Sequence, residues 1–190
     1  MEGLLSVFTA FGLSSSAGLN AYLPLLVVAL LARFTDLITL SPPWDALESW
    51  WVIGLLVVLL LIEFLVDKVP AVDTVNDTIQ TFVRPVAGAI LFASSAGVIS
   101  EAHPVLAMIC GLLVAGGIHA VKATARPAIT ATTGGLLNPV VSVIEDILSL
   151  AVAVLSILVP ILGVLLLLLV VIWVIRRRRR RRPRPSPVEW

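Results

Sequence analysis

The sequence predicts an all-α protein that crosses a membrane about five times, with broken or re-entrant helices. Of the 190 residues, 59% are hydrophobic and 13% are charged, and the mean hydropathy is +1.07. A soluble domain carries about 25% charged residues. The apolar residues also form segments of the length needed to cross ~30 Å of hydrocarbon. These segments lie near 5–33, 51–66, 86–100, 104–123 and 141–175.

Positive charge is concentrated at the C-terminus. Residues 1–175 contain eleven acidic and five basic side chains, whereas residues 176–190 contain eight arginines and Glu189. Because basic residues beside a span are retained in the cytoplasm, the run Arg176–Arg182 predicts a cytoplasmic C-terminus. We expect an integral membrane domain over 1–175 and a disordered basic tail over 176–190. Anionic lipid headgroups in the bilayer suffice as partners of the arginines, and no nucleic acid is expected.

The first apolar region contains polar residues that predict a broken helix or a tight helical hairpin. Residues 14–18 read Ser-Ser-Ser-Ala-Gly, and Asn20 and Pro24 follow them. Residues 34–51 then combine three acidic side chains with Trp44, Trp50 and Trp51. Tryptophan-rich polar segments of this kind are typical of the headgroup region.

A change of helix is predicted near residue 70. Pro70 indicates the end of the span 51–66, and Asp73 is suited to cap the next helix. Spacings of 4, 3 and 4 place Asp73, Asp77, Gln80 and Arg84 on one face of that helix.

An acidic group around this change of helix is the first candidate site. Its members are Glu63, Asp67, Asp73, Asn76 and Asp77. Carboxylate and amide oxygens bind hard cations, and intramembrane carboxylates also relay protons. Asp73 and Asp77 are the candidate ligands of a divalent cation. A solvated loop at the membrane surface is the alternative.

A basic group is the second candidate site. His119, Lys122 and Arg126 are spaced by 3 and 4 residues and so share a helix face. This face suits a phosphate or carboxylate ligand. Structural ion pairs with Glu63 and Asp67 are the alternative, and they require no ligand.

The third candidate is a polar break predicted over Thr124–Pro139, which includes Thr130 and Asn138. Irregular backbone at membrane depth is tolerated where it is buried in protein or lines a wet cavity. An ordinary surface loop is the alternative. Glu145 and Asp146 are expected to begin the last helix, where carboxylates complement the helix dipole without a further role.

The two halves of the chain share a motif that predicts an internal repeat over 5–85 and 86–160. Ser-Ser-Ala-Gly at 15–18 is followed by Pro24, and the same four residues at 94–97 are followed by Pro104. Transporter folds are often built from such repeats, with discontinuous helices near the membrane midplane.

Three stretches also resemble a known family. They are Ser-Ser-Ala-Gly-Leu-Asn-Ala-Tyr-Leu-Pro (15–24), Asp-Lys-Val-Pro-Ala-Val-Asp (67–73) and Ala-Arg-Pro-Ala (125–128). They resemble the bacterial membrane family filed as domain of unknown function 4126, over about residues 5–155. The resemblance implies a small protein of the bacterial inner (cytoplasmic) membrane and assigns no activity or functional residues.

Together these patterns favour a small, homo-oligomeric channel or transporter for an ion or small polar solute. The expected pathway residues are Glu63, Asp67, Lys68, Asp73, Asn76, Asp77, Arg84, His119, Lys122, Arg126, Thr130 and Asn138. One alternative is a Mg²⁺-dependent membrane enzyme that acts on a lipid-linked phosphate at Asp73 and Asp77. Another is a structural or assembly subunit, in which the charges only hold helices together.

Overall fold

The computed structural model describes residues 2–66, 70–97 and 103–160, with Leu169, Ile172 and Arg176 beyond them. Over these residues the chain is helical and contains no strand, which confirms the all-α class for the described part. The α-helices are α1 (Glu2–Leu19), α2 (Tyr22–Phe34), α3 (Trp50–Val66), α4 (Pro70–Ser95), α5 (Pro104–Thr133) and α6 (Asn138–Leu158). A short 3₁₀ helix, Trp44–Glu48, lies between α2 and α3.

Two helices are long and apolar enough to cross a membrane, judged by length and composition. These are α5, with 30 residues, and α6, with 21 residues. The apolar stretches in α1, α2 and α3 are shorter, at 3–19, 22–34 and 50–66. The predicted tail at 177–190 lies outside the described residues.

Helix α1 packs against α4, α5 and α6, and its three consecutive serines bond in different directions. The Ser14 hydroxyl donates to the carbonyl of Gly88 in α4 at 2.8 Å, and Ser16 donates to the carbonyl of Ser149 in α6 at 2.7 Å. Ser15 donates to Phe11 in its own helix at 2.6 Å. The helix therefore runs through these serines, and the break predicted at them is wrong.

The first apolar region is interrupted instead at Asn20 and Ala21, between α1 and α2. The side-chain oxygen of Asn20 accepts hydrogen bonds from the backbone N–H groups of Tyr22 and Leu23, each at 3.0 Å. This oxygen caps the first turn of α2, where N–H groups have no partner within the helix. The interruption is thus a capped helix start inside the bundle.

Three further boundaries differ from the sequence prediction. Helix α4 begins at Pro70, not at Asp73. Helix α5 continues to Thr133 with Pro127 inside it, so the polar break predicted from Thr124 is confined to 134–137. Gly134 and Gly135 form that connection with φ of 62° and 84°, which glycine adopts without steric penalty. Glu145 lies seven residues beyond the start of α6, so dipole capping does not explain it.

Small residues allow a close approach of α4 and α5. Gly88 and Gly111 face each other across this contact, together with Ala115. A Cβ built on Gly111 would lie 2.6 Å from Cβ of Phe92 and 2.8 Å from Cα of Ala89. The contact therefore requires glycine at position 111. Small residues have the same packing role between membrane helices.

Gly111→Ala is expected to destabilise the bundle, because the added methyl group meets atoms on α4 that have no room to move. Overpacking of this kind costs about 1–3 kcal/mol. Thermal unfolding in detergent should show a lower midpoint than the wild type. Gly117→Ala is the control on the same helix, since its Cβ would have no neighbour within 4 Å. Equal midpoints for the two variants would contradict the close packing.

Candidate functional site

Charged and amide side chains are buried where α1 ends and α2 begins. Glu63, Gln80 and Arg84 are each no more than 2% exposed, and His119, Lys122 and Arg126 are also buried. We use the term polar cluster for the following residues: Asn20, Tyr22, Glu63, Gln80, Thr81, Arg84, His119, Lys122, Arg126, Glu145 and Asp146. Buried charges are strongly unfavourable unless they are paired or hydrogen-bonded, so the contacts within the cluster determine what it can do.

One part of the cluster joins α3, α4 and α5 through Arg84. Its Nη2 atom donates to Oε1 of Glu63 at 3.1 Å, in a pair almost inaccessible to solvent. Its Nη1 atom lies 3.1 Å from Nδ1 of His119, and Nε2 of His119 lies 3.1 Å from the hydroxyl of Thr81. Because a guanidinium only donates, Nδ1 of His119 is the acceptor in this contact.

The other part joins α5 to α6 and to the end of α1. Nζ of Lys122 lies 2.8 Å from Oε2 of Glu145, and Nη2 of Arg126 lies 3.2 Å from the same oxygen. Lys122 also donates to the backbone carbonyl of Leu19 at 3.1 Å. That carbonyl is in the last turn of α1, where a cation complements the helix dipole.

The interruption between α1 and α2 is tied to both parts. Nδ2 of Asn20 donates to Oδ1 of Asp146 at 2.9 Å, beside the contacts of Glu145. The Tyr22 side chain interacts electrostatically with Glu63 and Arg84. The helix start at Asn20 therefore lies between two groups of buried charges.

The described ion pairs differ from the pairing that the sequence suggested for Glu63. Lys122 and Arg126 contact Glu145 of α6, and Glu63 contacts Arg84. The pairing of Glu63 with the basic face of α5 was therefore incorrect, because Arg84 reaches Glu63 from α4. Asp67, the other expected partner, and Lys68 lie outside the described residues.

The remaining predicted residues are placed only in part. Asn76 is half-buried, and the side chains of Asp73 and Asp77 lie outside the described residues. Thr130 and Asn138 bond to each other, with Nδ2 of Asn138 donating to the Thr130 hydroxyl at 3.0 Å, and so connect α5 to α6 across the intervening turn. Over the described part of the chain, no group of three or more His, Cys, Asp or Glu residues is arranged to hold a metal ion.

Glu145 and Asp146 are the acidic partners that sequence analysis missed. The sequence of α6 does contain a pattern that points to them. Three buried serines, Ser142, Ser149 and Ser156, form a polar stripe along this helix. Asp146 continues this stripe at helical spacing, four residues after Ser142 and three before Ser149. Polar residues that repeat with this period in an apolar helix indicate a face turned toward protein.

A family model described as "Domain of unknown function (DUF4126)" matches residues 7–180. The chain belongs to the DUF4126 family. The match to DUF4126 includes every residue of the polar cluster and confirms the resemblance inferred from residues 15–24, 67–73 and 125–128. Neither the curated proteins nor the solved structures contain a match to the chain.

Glu145→Gln is expected to destabilise this DUF4126 protein strongly, because Lys122 and Arg126 lose the carboxylate that they share. Removal of one partner from a buried ion pair costs about 3–5 kcal/mol. The measurement is thermal unfolding in detergent, with Asp45→Asn as the control on an exposed acidic residue. A midpoint for Glu145→Gln that coincides with that of Asp45→Asn would show that the two cations do not depend on Glu145.

Proposed function

We propose that the protein is a polytopic protein of the bacterial inner membrane that transports or conducts an ion or small polar solute. The observation that carries the proposal is the polar cluster, which brings three cations and several acceptors from five helices to an interrupted helix. Charged residues inside a membrane are unfavourable, and they commonly mark substrate or ion pathways.

The distribution of side chains supports placement in a bilayer. Leu61, Phe82 and Leu113 are 57%, 73% and 66% exposed, whereas Glu63 and Arg84 on two of the same helices are 2% and 1% exposed. Apolar surface around a charged interior is the reverse of the usual arrangement in water. On this basis α3, α4, α5 and α6 have apolar surface to present to lipid, and the arginine tail would hold the C-terminus in the cytoplasm.

The interruption at Asn20 supports the transport proposal further. In many transporters, discontinuous helices place free backbone groups beside the substrate. Here Lys122 donates to the Leu19 carbonyl at the end of α1, and Tyr22 in the first turn of α2 interacts electrostatically with Glu63 and Arg84. A polar solute that passes through the bundle would find backbone and side-chain partners at this position.

A structural role is the second candidate, and the direct ion pairs favour it. Arg84, Lys122 and Arg126 each contact a carboxylate without an intervening ligand, and such pairs can simply hold helices together. The alternative of a Mg²⁺-dependent enzyme rests on the side chains of Asp73 and Asp77, which lie outside the described residues, so it remains a prediction. The expected homo-oligomer also remains a prediction.

Flux through reconstituted protein distinguishes transport from a structural role. Liposomes that contain the full-length protein should take up at least one of protons, potassium, chloride or glycerol faster than protein-free liposomes. The double variant Glu63→Leu with Arg84→Met should reduce that flux to the protein-free rate. Replacement of a whole buried ion pair by apolar residues is often neutral for stability, so the variant is expected to remain folded.

The control is Asp36→Leu with Asp45→Leu, which removes two exposed acidic side chains that make no ion pair or hydrogen bond among the described contacts. It should leave both the flux and the thermal unfolding midpoint unchanged. Unchanged flux in a folded Glu63→Leu, Arg84→Met protein would refute the assignment of the pathway. A wild type that moves none of the four solutes would favour the structural role.

A further inference from the structure

Two buried polar atoms on α4 have unused hydrogen-bonding capacity. Gln80 and Arg84 are both 1% exposed. Nη1 and Nη2 of Arg84 contact His119 and Glu63, but its Nε atom has no hydrogen-bond partner among the residues that the structure describes. The same holds for Oε1 of Gln80. A buried group left in this state costs about 1–3 kcal/mol, so each one calls for a physical explanation.

The two side chains are neighbours on α4. Gln80 and Arg84 are four residues apart and therefore share a face of α4. Side chains on a helix lean toward its N-terminus, so Arg84 extends toward the turn that carries Gln80. Tyr22, in the first turn of α2, interacts electrostatically with Arg84 and Glu63. The guanidinium of Arg84 therefore faces Glu63 of α3 and Tyr22 of α2, and Gln80 lies one turn away on α4.

The chemistry of the two atoms restricts what can satisfy both. Nε of arginine is only a donor, and a carbonyl oxygen is only an acceptor. A simple anion such as chloride accepts from Nε but has no hydrogen to give Oε1. A metal or ammonium cation binds Oε1 but is repelled by the guanidinium. A hydroxyl group both accepts and donates, so it can satisfy both atoms at once.

We propose that a hydroxyl group, from a bound water molecule or a small neutral hydroxylated solute, bridges Nε of Arg84 and the Gln80 side-chain amide. If the hydroxyl belongs to a bound water molecule, the proposal is independent of the transport function proposed above. If it belongs to a solute, the proposal rests on that function and deepens it, because the substrate is then a neutral hydroxylated compound. In that case Gln80 and Arg84 bind the substrate.

A structure of the full-length protein at a resolution that reveals ordered water tests the site without reference to transport. Density is expected within ~3.2 Å of both Nε of Arg84 and the Gln80 amide, the normal range for hydrogen bonds. A direct bond between the two side chains, without such density, would overturn the proposal. So would an anomalous bromide peak at this position after soaking in sodium bromide, since the occupant would then be an anion.

Glycerol uptake into proteoliposomes distinguishes the two sources of the hydroxyl. Gln80→Leu removes both polar atoms of the amide, and Thr132→Val is the control, because Thr132 is exposed and bonds only within α5 in the described contacts. If a solute occupies the site, Gln80→Leu should lower glycerol permeability about five- to tenfold, the ratio that corresponds to roughly one hydrogen bond. Thr132→Val should match the wild type.

Two results separate failure of this proposal from failure of the proposed function. Bridging density together with glycerol permeability that Gln80→Leu does not change supports water as the source. Protein-mediated flux of potassium or chloride, with no bridging density, keeps a transport function and overturns the hydroxyl site. If the wild type moves no solute, the density alone decides whether the bridge exists.

Discussion

Charged side chains buried in an apolar bundle must be paired, and this requirement governs the contact between α5 and α6. These helices share few other contacts, although they are adjacent in the chain. Lys122 and Arg126 both contact Glu145, and the turn between the helices is held by the bonds of Thr130 with Asn138. The position of α6 beside α5 therefore depends largely on polar contacts, while its apolar packing is mainly against α1.

The interruption at Asn20 provides Lys122 with a backbone acceptor in addition to Glu145. An uninterrupted α1–α2 helix would engage the Leu19 carbonyl in its own hydrogen bonds and leave Lys122 without that acceptor. Asn20 also replaces lost helical bonds, since its oxygen caps α2 while its amide group reaches Asp146. One side chain thus stabilises the helix start and holds α6 in place.

The buried polar contacts also explain why the serines of α1 do not break the helix. Ser14 and Ser16 bond to α4 and α6, and small residues allow these helices to lie close to α1. In isolation these serines resemble a helix-breaking motif. In the bundle they form contacts between helices. Hydroxyl groups in membrane helices commonly bond across to neighbouring helices in this way.

The sequence by itself determined the helical class, the apolar helices, and which charged residues share a helix face. Hydrophobic segment length is a local property, and so is the helical spacing of Gln80 with Arg84 and of His119, Lys122 and Arg126, so both can be read without a fold. Tertiary structure alone decided the partners: Glu145 for Lys122 and Arg126, and Arg84 for Glu63. Spacing along one helix gives the direction of a side chain but not the neighbouring helix it meets. The choice of acceptor depends on how α3, α4, α5 and α6 pack around α1, and that packing involves residues far apart in sequence.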